Sequence, residues 1–211
     1  MGAMTQPDLD IRSVTIDDAG ELLTLRRAAF VTEAQQYGDP HIPPLTQTLE
    51  ELQEDLQRDG VITLGGWYGH RLVGSIRMLI EGPKATLGRF AVAPDLQGQG
   101  FGTQLLMAIL PHLPEGIEEV WVFTGRDSVH NLALYAKHGY EHQHDQTAGD
   151  LTYAYLRKIL GTAERSDAQP RPGRSASNRR RLARMSCSSL AETYVRIPSG
   201  SGSAGTTGGS S

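Results

Sequence analysis

Leu87-Gly-Arg-Phe-Ala-Val-Ala-Pro-Asp-Leu-Gln-Gly-Gln-Gly-Phe-Gly-Thr-Gln-Leu-Leu106 is the stretch on which the reading of this chain turns. It reads as a buried strand, a Pro94-Asp95 turn, glycines at alternate positions 98, 100 and 102, and then an apolar helix to about residue 110. Glycines at that spacing let a backbone come close to a ligand and turn its N–H groups inward. Those groups open a helix, where the positive end of the macrodipole favours a diphosphate. On physical grounds alone, the segment is an anion cradle between a strand and a helix. A P-loop would close on Gly-Lys-Ser/Thr, but Gly102 is followed by Thr103 with no Lys. A dinucleotide fingerprint would place its third glycine where Thr103 stands, and would belong to the first strand–helix unit. The residues argue against both.

Working outward, residues 9–14 alternate as a strand, and Asp17 reads as the cap of a helix running to about residue 31. Residues 33–45 read as irregular, with Gly38, Pro40, Pro43 and Pro44, before a second helix over about 46–58. Strands are expected at 61–68 and 72–80, joined at Gly69-His70, and at about 85–93. Pro111 should stop the helix that follows the cradle. A strand at 118–125, a short helix ending at Gly139, and strands at 140–141 and 151–158 complete the pattern. Beyond Gly161 the composition turns to Ser, Gly, Arg and Pro, too little apolar surface to offset ordering at about 1–2 kcal/mol per residue. The expected division is therefore 1–8 as an N-terminal extension or tag scar, 9–160 as the working domain, and 161–211 as a disordered basic tail.

The net charge of −4 conceals two opposed halves. Residues 161–211 carry eight Arg and three acids, a balance of +5, which leaves −9 on residues 1–160. An acidic body weakly favours a cationic acceptor through long-range attraction. The Arg179-Arg-Arg181 run lacks interleaved aromatics and reads as a solvated charge cluster, so nucleic acid is not an expected partner. The one cysteine, Cys187, allows no internal disulfide and points to a reducing compartment. With no leader and no apolar run of spanning length, a cytoplasmic protein without a membrane partner is expected.

Val92, Gln97, Gly100 and Gly102, in the order Val-x4-Gln-x2-Gly-x-Gly, resemble motif A of the GNAT superfamily of acyl-CoA N-acyltransferases. Asn131-Leu-Ala-Leu-Tyr135 with Gly139-Tyr140 resembles that family's second signature, at the expected place after one more strand. The resemblance covers about residues 9–158. It implies a mixed α/β fold: a mostly antiparallel central sheet of about six or seven strands flanked by about four helices. It also implies transfer of an acetyl group from acetyl-CoA to a primary amine, by direct attack in a ternary complex and with no metal. Gln97, Gly98, Gln99, Gly100, Phe101, Gly102 and Thr103 would then wrap the coenzyme A diphosphate. Main-chain groups of Phe90, Ala91 and Val92 would pair with the pantetheine arm like an added strand. Asn131 would contact that arm or hold the helix that does. Tyr135 would protonate the departing thiolate.

Each of these residues has a plainer reading. Tyr135 can be core, Asn131 can serve only to start its helix, and Gly139 reads as a helix C-cap. His138, His142 and His144 lack a supporting Cys and are not taken as metal ligands. On the acceptor side, the family lines its site with the segment between the first two helices. That makes Glu33, Tyr37, Asp39 and His41 the residues to hold an amine and relay its proton, or else a solvated loop. Arg89 is a charge in a strand expected to be covered on both faces, and it wants a substrate carboxylate or an internal acid such as Glu81. The small-molecule amine leads. A protein α-amine or lysine is the alternative acceptor, and a non-catalytic acyl-CoA sensor is the alternative from another class. A monomer or a homodimer fits equally.

Overall fold

The computed structural model describes residues 8–148 and 151–161. Most of the expected N-terminal extension, and the tail with Cys187 and its arginine run, lie outside the described residues. A seven-stranded sheet in the order β1-β2-β3-β4-β5-β7-β6 carries the fold. Its strands are β1 (Asp10–Ser13), β2 (Val61–Tyr68), β3 (Arg71–Glu81), β4 (Lys84–Val92), β5 (Glu119–Gly125), β6 (Glu141–Ala148) and β7 (Leu151–Ile159). Every pairing is antiparallel except β4 with β5. Among the described residues there are five α-helices, the second a single turn: α1 (Ala19–Tyr37), α2 (Pro43–Thr46), α3 (Leu49–Gln57), α4 (Phe101–Ile109) and α5 (Val129–Lys137). None of them is long and apolar enough to cross a membrane.

Two apolar layers sandwich the sheet. On one face α4 and α5 bury Leu105, Leu106, Ile109 and Tyr135 against Leu64, Ile76, Met78, Val120 and Val122. On the other, α1 and α3 bury Leu22, Leu25 and Leu52 with Trp67, Val73 and Phe101. The depth at which α4 settles is set by missing side chains. A Cβ built at Gly74 would come within 2.5 Å of Leu105 Cδ1, and one at Gly66 within 3.3 Å of Leu105 Cδ2. Leu105 therefore drops between β2 and β3, and the helix N-terminus is held beside the end of β4.

Four boundaries differ from the sequence expectation. The first helix does not stop near residue 31 but runs to Tyr37, where Gly38 in the left-handed region (φ 64°) closes it. There the N–H of Asp39 donates to Ala34 O at 3.1 Å, one of the carbonyls that a helix end leaves open. Its N-cap position is Asp18, not Asp17. The second long helix starts at Leu49 because Thr48 and Glu51 form a reciprocal capping box. The segment before it is a single helical turn, α2, begun by two prolines. Finally, the strand expected at 140–141 extends to Ala148 as the polar edge strand β6.

Candidate active site

The parallel ladder between β4 and β5 is short. It runs from Lys84↔Glu119 to Leu87↔Val122 and stops. β4 continues to Val92 on its other partner, β3, and β5 continues to Gly125 on β7. Among the described residues, no ladder joins 88–92 to 123–125, so two strand edges diverge and leave a wedge. Arg89 marks the divergence: it takes φ 49°, beside the register shift between Ser75 and Arg77. A non-glycine residue there is uncommon and bends the strand away from its neighbour.

The cradle stands at the open end of this wedge. β4 passes through a short 3-10 turn (Pro94–Leu96) into Gln97 and then α4. Gly98 at φ 76° and Gly100 at φ 85° take left-handed geometry at no side-chain cost. Gly100 is the helix N-cap and no side chain caps it, so the first-turn amides have no intrahelical partner. A Cβ built on Gly98 would meet nothing within 4 Å, which leaves the outer side of the loop open to a ligand. The third glycine has a different job. A Cβ on Gly102 would lie 3.3 Å from the Phe90 ring, so its bareness lets α4 lie against β4. Gln97 Nε2 donates to Val92 O at 3.3 Å and ties the loop to the strand end.

Beyond the wedge, α5 brings Asn131 and Tyr135 to β5. Asn131 Nδ2 donates to Thr124 Oγ1 at 3.2 Å, which anchors the helix. Tyr135 is 3% exposed and packs against Tyr140 at 5.7 Å between centroids. Burial raises its hydroxyl pKa, and Tyr140 and Glu33 push it further the same way. It is therefore protonated throughout the neutral range.

The longer α1 changes the standing of the acceptor-side residues. Glu33 and Tyr37, expected in an irregular segment, sit one turn apart on the same helical face. Glu33 is half-buried, and burial raises its carboxyl pKa against the opposing pull of Arg89. Tyr37 is pushed up to about 12 by burial, with Glu33, Tyr153 and Asp127 adding and a backbone hydrogen bond with Gly125 opposing. A side chain built on Gly125 would overlap the Tyr37 hydroxyl. Glu33 thus faces Arg89, Tyr37, Tyr135 and Tyr153 electrostatically.

Asp39 and His41 stay exposed beyond the helix, where Asp39 Oδ1 accepts from His41 N at 2.8 Å. The internal acid facing Arg89 is Glu33 and not Glu81, which is paired across the ladder with Lys84 at the opposite end of β4. His142 Nε2 lies 2.6 Å from Asp145 Oδ1, and His144 stacks on Tyr155. Sequence reasoning passed over Phe123, Tyr153 and Asp127. The signal for the two rings was present, since Trp121/Phe123 and Tyr153/Tyr155 alternate on strands that pair with each other.

A sequence model described as the Acetyltransferase (GNAT) family matches residues 25–140. The uncharacterized N-acetyltransferase YvbK of Bacillus subtilis is 32% identical over 94 residues, 44% of this chain and 59% of that protein. The UPF0157 protein YqkA of the same organism is 26% identical over 123 residues, 58% of this chain and 34% of that protein. The chain thus spans between about a third and three fifths of the length of these curated relatives. Among solved structures, the PaiA N-acetyltransferase of Thermoplasma acidophilum, in complex with coenzyme A, superposes with a TM-score of 0.61. The match covers 72% of this chain and 99% of that one at 20% identity, a likeness of fold.

Proposed function

The chain belongs to the acetyltransferase (GNAT) family, and from that premise we propose that it transfers an acetyl group from acetyl-CoA to the primary amine of a small molecule. The observation that carries the reading is the unpaired wedge between β4 and β5, closed at one end by the uncapped start of α4. The Thermoplasma relative holds coenzyme A, and the donor groups here suit the same molecule. Amides of residues 97–102, with Thr103, meet its diphosphate at a helix N-terminus. The free edge at Phe90, Ala91 and Val92 offers strand-like hydrogen bonds to the amides of the pantetheine arm. A backbone N–H near Val92 faces the thioester oxygen, where such a donor contributes about 3 kcal/mol as negative charge develops.

The remaining residues handle protons. An alkylammonium of pKa near ~10 must lose a proton before it can attack. Glu33, half-buried and raised by burial, is a stronger base than an exposed carboxylate and takes that proton. The amine nitrogen bonds to the acetyl carbon, the carbon–sulfur bond breaks and the sulfur accepts the Tyr135 proton, while the nitrogen gives up its second proton, through water, to restore the tyrosine. Tyr135 enters the step protonated; its raised pKa weakens it as an acid, so the proton moves as negative charge builds on the departing sulfur. Arg89 holds the Glu33 charge in place, and Asn131 fixes α5 through Thr124. A thiol-release assay with acetyl-CoA and a broad amine panel tests the proposal. Release that depends on an amine and falls in Tyr135→Phe supports it. Tight acetyl-CoA binding with no release for any amine would leave a sensor in place of an enzyme.

A further inference from the structure

The last turn of α1 reaches across the wedge. Along its length α1 packs over β3 and β4, and its Glu33 faces Arg89 of β4 electrostatically. One turn later Tyr37, the final residue of the helix, meets the other strand. Its hydroxyl lies on Gly125, the buried last residue of β5. A Cβ added there would overlap the hydroxyl and lie 3.0 Å from ring carbon Cζ. Tyr153, the register partner of Gly125 on β7, flanks the ring edge-on at 6.3 Å and 64°. The phenol thus fills a socket with Gly125 as its floor and Tyr153 as its wall.

Gly125 is bare for the sake of this contact. It does not take positive φ, so its backbone accepts alanine, and the phenol alone needs the space. A glycine inside a strand weakens it and marks a place where another group comes close. At this level β4 and β5 share no ladder, so the helix end links two strand edges that do not pair. Helix ends fray unless something holds them. Glu33 lies one turn before this end, where the Gly38 N–H donates to Gln35 O at 3.2 Å.

We propose that Tyr37 is a positioning residue: its phenol, seated on Gly125 against Tyr153, pins the last turn of α1 to β5 and so holds the Glu33 carboxylate over the wedge. The proposal rests on the reading of Glu33 as the base and deepens it. A hydroxyl turned onto strand backbone serves as a strut and not as a proton relay. Glu33 faces Arg89 from β4, Tyr37 from its own helix, Tyr135 from α5 and Tyr153 from β7, and Asp127 acts on Tyr37 from beyond β5. Burial outweighs the pull of Arg89 on the carboxyl. With the socket empty, the helix end loosens, water reaches Glu33, and its pKa returns toward the ordinary carboxylate value.

The test titrates the Glu33 carboxyl carbon by NMR in the full chain, its signal assigned by its loss in Glu33→Gln. Thiol release is measured in the same proteins with acetyl-CoA and the amine of the panel that the wild type turns over fastest. In Tyr37→Ala and in Gly125→Ala the Glu33 pKa should fall, and kcat/KM should drop about 10–10²-fold as the base is misplaced. Melting temperatures and coenzyme A binding report that each variant folds. The double variant should be no slower than the slower single one, because both changes remove the same contact. Tyr37→Phe leaves the ring in its socket and should keep the raised pKa and most of the rate. An unmoved Glu33 titration in both single variants, losses that multiply in the double, or a Tyr37→Phe as slow as Tyr37→Ala overturns the proposal. Glu33→Gln separates it from the reading beneath it. A titration that shifts in the socket variants, with wild-type release in Glu33→Gln, leaves the strut standing and removes the base. An unmoved titration with slowed release in Glu33→Gln does the reverse.

Discussion

Replacing Glu33 with Gln should make the protein slower and more stable at once. The side chain keeps its size on the last turns of α1 but can no longer take a proton. A positioned general base contributes about 10²–10⁴-fold. The lower end applies here, because the carboxylate is only half-buried and water can relay part of the proton flow. The expected loss is about 10²-fold in kcat/KM for the amine, or about 2.7 kcal/mol of transition-state stabilisation. Wild-type kcat/KM should climb with pH through the raised Glu33 pKa and again as the amine deprotonates, whereas Glu33→Gln should keep only the second rise. Stability runs the other way. A carboxyl raised by folding binds its proton more tightly when folded, so the wild type loses stability as pH climbs from the ordinary carboxylate value through the folded one. Glu33→Gln escapes that loss. It should melt higher than wild type at pH 7, and the advantage should vanish below the ordinary carboxylate pKa. Stopped-time thiol release at saturating acetyl-CoA, together with calorimetric melting at both pH values, reads the two effects. A variant with wild-type rate when chemistry is rate-limiting, or one that melts lower at pH 7, refutes the assignment.

Tyr135→Phe should lower kcat by about 10²-fold while acetyl-CoA affinity is unchanged, and an acyl donor with a more acidic thiol should recover part of the loss. Full activity in that variant removes the general acid. Gly100→Ala forces a side chain into φ 85°, at about 1–2 kcal/mol. It should lower the melting temperature by about 2–8 °C and weaken acetyl-CoA binding by about tenfold as the cradle relaxes, measured by calorimetry. Asp18 is pulled down to about 2, chiefly by its hydrogen bonds from Arg12. Its stabilisation is fully present above the ordinary carboxylate pKa and is lost as pH falls from there through about 2. Asp18→Asn should cost about 1 kcal/mol at pH 7, discounted for solvent exposure, and nothing once the pH is well below about 2 in urea titrations.

Where side chains alternate between two packed faces, the sequence was readable. β2, β3 and β5, and the apolar stripe of α4, showed their periods because their partners lie in the two apolar layers. β6 was legible only at its start. Its residues Glu-His-Gln-His-Asp-Gln-Thr-Ala are almost all exposed, and only the ladder to β7 makes them a strand. The last turns of α1 were missed for a related reason. Glu33 and Tyr37 turn toward Arg89 and Gly125 and not toward the apolar layers, so no apolar period marks them as helical. The cradle and Tyr135 could be named from motifs. The wedge could not, because the length of the β4–β5 ladder is a property of two strands and of the bend at Arg89. The sequence indicated that Arg89 needs a partner, but the acid facing it became visible only once α1 was seen to reach across the sheet.

The central claim is that backbone amides between β4 and α4 hold coenzyme A with its thioester arm in the wedge. Amide-resolved NMR titration of the isotopically labelled chain with coenzyme A tests this most directly. The account predicts the largest shifts at residues 97–103, where the diphosphate sits, and at 90–92, where the arm pairs. If coenzyme A binds while those amides stay still and shifts gather elsewhere on the sheet, the account is contradicted.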